Sequence, residues 1–289
     1  MAFKDILVLL DNHPGYESRL EVALSLARQS DARLVALYGF ELPHTRSPAL
    51  CLADAIYAPS DASHTMYERE RDAAFDSAAN LEATFRTATR RAGIAGSWEI
   101  WPENPKDLIG LVTTRARYAD LAVLGQADPD HPLFDTLAKL PEMVMLGSGR
   151  PVMVVPYAGQ PRVVGRRVMI AWNGGREAAR AVADALPLLK PAEAVTVLSV
   201  SDKGGDETCD EAARRLAAHL AQHGIRATAE QFAAMGMEVG DIILSRVADL
   251  GCDLVVMGGY EHSRTRELIL GGATRGVLQQ MTVPVLMSH

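Results

Sequence analysis

Three glycines, Gly258, Gly271 and Gly272, together with Thr274, are the residues of this sequence best placed for chemistry. A short apolar run, Leu254 to Met257, ends in Gly258-Gly259. A polar loop follows with His262, Ser263, Arg264 and Arg266, and Gly271-Gly272-Ala273-Thr274 then opens a helix-like segment, Arg275 to Met281. Glycine lets the main chain approach a ligand and adopt positive φ. A helix start offers unpaired N–H groups and a partial positive charge. The chemistry such a row can do is to hold an anion such as a phosphate. The glycines equally suit ordinary strand-to-helix punctuation, and spacing alone favours that reading.

Other constellations are weaker. His219 and His223 stand four apart on an expected helix and share a face, but no third metal ligand accompanies them; a solvated helix face is the better reading, and no metal site is expected. No Gly-x-Ser-x-Gly elbow occurs, so a hydrolase triad is not supported. The P-loop lysine and a Gly-x-Gly-x-x-Gly after either first strand are missing, which weakens NTPase and dinucleotide readings. No catalytic residue emerges.

These candidates need elements to position them. Ile6-Leu-Val-Leu-Leu10 is a continuous apolar run stopped by Asp11, as a buried parallel strand would be. Leu20, Ala23, Leu24 and Ala27 recur at helical spacing. Further strands are expected at Leu34–Tyr38, Trp98–Trp101, Leu121–Leu124 and Val152–Val155, and helices at Tyr67–Arg91 and Lys106–Tyr118. Pro141 is expected in the first turn of a short helix running to Leu146. Tyr157 to Arg166 reads as a linker, and the pattern then restarts with a strand at Val168–Trp172. A helix at Glu177–Leu186, ended or kinked by Pro187, comes next. Strands at Val195–Val200, Thr228–Phe232, Leu254–Met257 and Pro284–Met287 complete the second series, with helices at Glu207–His223 and Val239–Leu250.

The restart is a duplication. Ala119-Asp-Leu-Ala-Val-Leu-Gly125 matches Cys252-Asp-Leu-Val-Val-Met-Gly258 at a shift of 133, and Arg150-Pro-Val-Met matches Val283-Pro-Val-Leu at the same shift. The expected fold class is α/β: two tandem doubly wound domains, each a five-stranded, mostly parallel sheet with helices on both faces. The boundaries expected are residues 1–156, a linker at 157–166, and residues 167–289. In such sheets ligands sit outside the carboxyl ends of strands where strand order reverses. If the first strand lies beside the fourth, Asn173 and Gly258 flank that crevice.

Composition sets outer limits. The 289 residues are 48% hydrophobic and 6% aromatic, which suits an α/β protein with a large core. A formal net charge of -7 argues against non-specific nucleic-acid binding. Cys51, Cys209 and Cys252 lie too far apart for a zinc site or a disulfide framework. No run approaches membrane-spanning length. A cytoplasmic protein without a membrane partner is expected.

The second half resembles the universal stress protein family. Its nucleotide-binding members carry glycine, two residues, glycine, nine residues, glycine, then serine or threonine, after the fourth strand. The register here runs Gly258, Gly259-Tyr260, Glu261, nine residues to Leu270, then Gly271-Gly272. Glu261 stands in the place of the middle glycine and Gly272 in that of the Ser/Thr, with Thr274 close by. Asn173-Gly-Gly takes the place of the family's Asp-Gly-Ser turn, where adenine is contacted. Through the repeat, the whole chain resembles a tandem universal stress protein. The resemblance implies a stress-response role in which the second half binds or senses an adenine nucleotide, ATP, with Mg²⁺ as its accompanying ion. Gly258, Gly271 and Gly272 would wrap the phosphates, Ala273 and Thr274 would supply helix-start N–H groups and a hydroxyl, Asn173 would face the base, and Met257 would pack beside it. A carboxylate at Glu261 about 4–6 Å from a phosphate would cost on the order of 1 kcal/mol. Catalysis beyond slow ATP hydrolysis is not implied. The alternative is a nucleotide-free interaction or regulatory module. The resemblance further implies that the fifth strands of the two halves meet as an internal pseudo-dimer, and a homo-oligomer through sheet edges or domain faces is expected. In the first half Gly125 is kept, but Ala138 and Lys139 replace the later glycines, so that half is expected to be structural.

Overall fold

The computed structural model describes residues 2–11, 15–39, 60–100, 108–131, 134–159, 164–201, 207–259 and 272–289. The first half runs β1 (Asp5–Leu10), α1 (Tyr16–Ser30), β2 (Arg33–Tyr38), α2 (Ser60–Ala92), β3 (Gly96–Ile100), α3 (Leu108–Ala116), β4 (Leu121–Gly125), α4 (Phe134–Ser148) and β5 (Val152–Val155). The second runs β6 (Arg167–Ala171), α5 (Arg176–Leu189), β7 (Ala194–Ser201), α6 (Glu207–Gln222), β8 (Ala227–Ala233), α7 (Val239–Leu250), β9 (Leu254–Gly258), α8 (Gly272–Gln280) and β10 (Val285–Ser288). The apolar runs make strands because both faces of the sheet are covered. Ile6, Val8 and Leu10 enter one core layer, while Leu7 and Leu9 enter the other.

All ten strands join in one sheet, in the order β3-β2-β1-β4-β5-β10-β9-β6-β7-β8. Within each half the strands are parallel, and the first lies beside the fourth: Ile6 pairs with Leu121, and Val168 with Leu254. The halves meet at an antiparallel seam where Val285 faces Val154 and Met287 faces Val152. The carboxyl edges of the two half-sheets therefore point in opposite directions. Helices α1, α2, α5 and α6 cover one face and α3, α4, α7 and α8 the other. The seam is reinforced by Gln126 of the first half, whose Nε2 donates to the carbonyls of Leu278 (2.8 Å) and Gln279 (3.1 Å) in α8.

Three helices depart from expectation: α2 begins at Ser60, seven residues before Tyr67, and the other two differ at prolines. Pro141 lies in the interior of α4 and not in its first turn, because the helix already begins at Phe134. Pro187 lies inside α5, which continues to Leu189 and is not ended there. An interior proline costs about 3 kcal/mol. Leu188 and Leu189 beyond Pro187 are each 1% exposed, and fully burying a leucine is worth about 1.5–3 kcal/mol. Leu140, Val144 and Met145, all buried, do the same around Pro141. Tertiary burial thus outweighs the local signal.

Candidate functional site

Strand order reverses between β6 and β9 in the second half, so the crevice there opens at the carboxyl ends of Ala171 and Met257, which are register partners. Asn173 lies two residues past β6 and is exposed. Its Oδ1 accepts a hydrogen bond from Gly175 N at 2.9 Å, and Gly174 has φ 78°. The side chain thus shapes the turn that launches α5. Met257 is 5% exposed, and its side chain belongs to the core layer under α7 and α8.

Gly258 ends β9 directly beneath the first turn of α5. A Cβ on Gly258 would stand 2.6 Å from the carbonyl carbon of Glu177 and closer still to the Ala178 nitrogen. The close approach that this glycine permits is therefore made by the protein's own helix. Glu177 is 5% exposed and accepts a hydrogen bond from Arg176 Nε at 2.5 Å. Burial, the largest single influence, acts to raise its pKa. The Arg176 hydrogen bond, a backbone N–H and the charges of Arg176 and His289 together hold it below the ordinary glutamate value of 4.5. The depressed pKa contributes stability that is present above the unfolded value and lost as pH falls through the folded one. Glu177→Gln should therefore be less stable than the parent at neutral pH. The difference should close as pH falls below 4.5, and urea titrations across that range would show it.

The start of α8 has a different character. Gly272 is its first residue, so the N–H groups of its first turn have no acceptor within the helix. Among the described residues, a Cβ on Gly272 would meet nothing nearer than Glu238 Oε2 at 3.9 Å. Thr274 is buried. Gly240 of α7 fixes the position of α8: its missing Cβ would stand 3.2 Å from Ala273 O and 3.4 Å from Val277 N. Arg275 lines a cavity of about 550 Å³ between α4 and α8, on the seam side. Asn173, Met257 and Gly258 thus sit together on neighbouring strand ends, and Gly272, Ala273 and Thr274 open α8. Gly271, Glu261, His262, Ser263, Arg264 and Arg266 lie outside the described residues.

The first half fills its equivalent crevice. Arg19 donates from Nη1 and Nη2 to the two carboxylate oxygens of Asp11 at 2.9 and 2.6 Å, and it is 7% exposed. The guanidinium lies where a Gly125 side chain would be, 2.9 Å from an ideal Cβ. The space left beside Asp11, Arg19 and Gly125 is about 30 Å³, far below the roughly 300 Å³ that small-molecule sites begin at. Lys139, the counterpart of Gly272, is the sixth residue of α4, so its N–H is spent inside the helix. The sequence reading missed Arg19. Its signal was an arginine beside the apolar stripe of α1, eight residues after a lone aspartate.

Among the described residues, no group of three or more His, Cys, Asp or Glu could hold a metal ion, and no helix is long and apolar enough to cross a membrane.

This arrangement is an α/β fold of the doubly wound class, with strand order reversing between β6 and β9, where ligands of such folds sit. Residues 165–289 match the sequence model of the Universal stress protein family. Over its length the chain shares the fold of a universal stress protein from Archaeoglobus fulgidus DSM 4304, at 18% identity and TM-score 0.69, covering 98% of this chain and 97% of that one. A candidate universal stress protein from Pseudomonas aeruginosa UCBPP-PA14 is similar at 18% identity and TM-score 0.61, covering 99% of this chain and 93% of that one. No curated protein sequence is a significant match.

Proposed function

We propose that the second half binds an adenine nucleotide, ATP with Mg²⁺, at the β6/β9 crevice, in a stress-response binding or sensing role. One observation supports this reading: among the described residues α8 opens on Gly272, whose first-turn N–H groups have no acceptor within the helix, while the matching position of the first half, Lys139, lies inside α4. Asn173 then borders the base side, and Gly258, Gly271, Gly272, Ala273 and Thr274 the phosphate side. The Glu238 carboxylate near Gly272 works against a phosphate there, so Mg²⁺ or a loop cation would have to offset it. Residues 1–156 act as a structural domain with a degenerate site, 157–166 as linker and 167–289 as the binding domain, a tandem arrangement within the cytoplasm that associates further as a homo-oligomer.

Isothermal titration with ATP and Mg²⁺ tests the reading. Saturable heat is expected from the parent protein and none from Gly272→Trp, whose Cβ meets no described atom nearer than 3.9 Å. Absence of heat at millimolar ATP, on the order of 4 kcal/mol of binding free energy, would reject it. A nucleotide-free interaction module is the second reading, favoured by one finding: Gly258 serves the seating of α5. Mass spectrometry of the purified protein separates the two, since only the first retains nucleotide.

A further inference from the structure

On the α5/α6 face of the second half lies a groove of about 540 Å³, bordered by Trp172, Leu186 and Leu216, with Arg215, His219 and His223 along α6. The duplicated sequence shows how it arose. Gly93 and Gly224 end matching helices at φ 67° and 77°. Counting back from them, Leu81 and Phe85 of α2 match Ala212 and Leu216 of α6. Strand register adds two more pairs. Ala36 faces Trp98 in the first half, where Val197 faces Ala229 in the second, and Tyr38 corresponds to Ser199.

In the first half these residues fill the layer. Tyr38 and Phe85 are 0% and 1% exposed, and Trp98 lies 6.0 and 5.7 Å from their ring centroids. In the second half Ser199, Leu216 and Ala229 stand for the three aromatic rings; Trp172, which continues β6 beside Ser199, returns one ring to this layer and lines the groove together with Leu216. The same count places His219 and His223 where the first half has Ala88 and Ala92. Their rings are 4.9 Å apart, edge to face. Arg215 is held on this rim by Glu211, through Nε at 2.8 Å. No carboxylate is among the residues lining the groove. The changes thus removed volume from an apolar layer and added N–H donors to its margin. A volume of this size suits a small molecule.

We propose that the groove between α5 and α6 is a second ligand site. It is shaped for a small amphipathic anion whose apolar body lies on Trp172, Leu186 and Leu216 and whose charged end meets His219, His223 and Arg215. It lies on the sheet face opposite α8 and does not depend on nucleotide binding.

The test titrates the full-length protein with anilinonaphthalene sulfonate, followed by calorimetry and by energy transfer from tryptophan. One saturable site is expected, undisturbed by saturating ATP and displaced by dodecanoate. Ala212→Leu with Leu216→Phe, which restores the side chains of the first half, should weaken the probe by about tenfold or more without lowering the melting temperature. Dodecanol should compete more weakly than dodecanoate. His219→Ala with His223→Ala, at exposed positions that leave folding unaffected, should remove that preference for the carboxylate. Lack of saturation, or equal affinity in the filled variant, would overturn the site. Equal competition by the alcohol and the acid would overturn the anion. If the filled variant does not fold, the paired histidine variant decides: a dodecanoate affinity unchanged from the parent rejects the proposal.

Discussion

Gly258→Ala should lower the stability of the protein by about 1–3 kcal/mol, and Gly258→Val by more. The added carbon would enter the backbone of α5 at Glu177 and Ala178, 2.6 Å from the nearest carbonyl carbon that a side-chain shift cannot move. The first turn of α5 would have to lift. Lifting it disturbs the buried Glu177 carboxyl and the Asn173 turn before it. Urea unfolding measures the loss, and Gly272→Ala is the internal comparison. Its Cβ would find Glu238 Oε2 at 3.9 Å, an ordinary contact, so its stability should match the parent or rise slightly, since alanine is a better helix former than glycine. A harmless Gly258→Ala would mean that α5 is not seated on this residue.

Arg19→Ala should cost about 3–5 kcal/mol, the usual penalty for breaking a buried ion pair by removing one partner. The two hydrogen bonds to Asp11, at 2.6 and 2.9 Å, would go, and the carboxylate would keep its charge in a place where its side chain is only 15% exposed. Tyr38, whose phenol is pushed up to about 12 by burial and by the Asp11 charge, cannot take over the guanidinium's role. Removing both charges with Arg19→Met and Asp11→Leu should restore much of the loss, because an apolar pair of similar volume needs no desolvation. Thermal unfolding of the two single variants and the double variant forms the cycle that isolates the coupling. Additive losses across the cycle would show that the pair is not coupled.

Much of the architecture was legible because buried parallel strands leave uninterrupted apolar runs, and because a duplicated unit can be aligned with itself. Val239–Leu250 was bounded correctly, since Gly251 stops it at φ 58°. Pro141 and Pro187 misled for one reason: a local rule prices the broken hydrogen bond but not the leucines buried on the far side. The site was harder. Glycine spacing announces that something comes close to the backbone without saying what. At Gly258 it is the protein's own helix, and at Gly272 the nearest described atom is Glu238 Oε2 at 3.9 Å. Arg19 escaped notice because a charged residue beside an apolar stripe reads as periphery until the facing aspartate is placed by the sheet. The groove of the second half could not be read from one segment, since its lining comes from α5, α6 and the end of β6, and the smaller side chains Ala212 and Leu216 show only against Leu81 and Phe85 of a twin 131 residues away.

The contact of Met145 with Gly259 bears on the independence of the two halves. The Met145 methyl lies 2.5 Å from where a Gly259 side chain would begin, and Gly259 N donates to Ser288 O at 2.9 Å. The copy that lost its own crevice therefore supplies the thioether that roofs the exit from the other copy's fourth strand. Severing the chain after residue 159 would strip that roof away and bare a row of amides along Val285–Ser288. The first copy is a fitted lid for its sibling, and neither should be expected to behave natively alone.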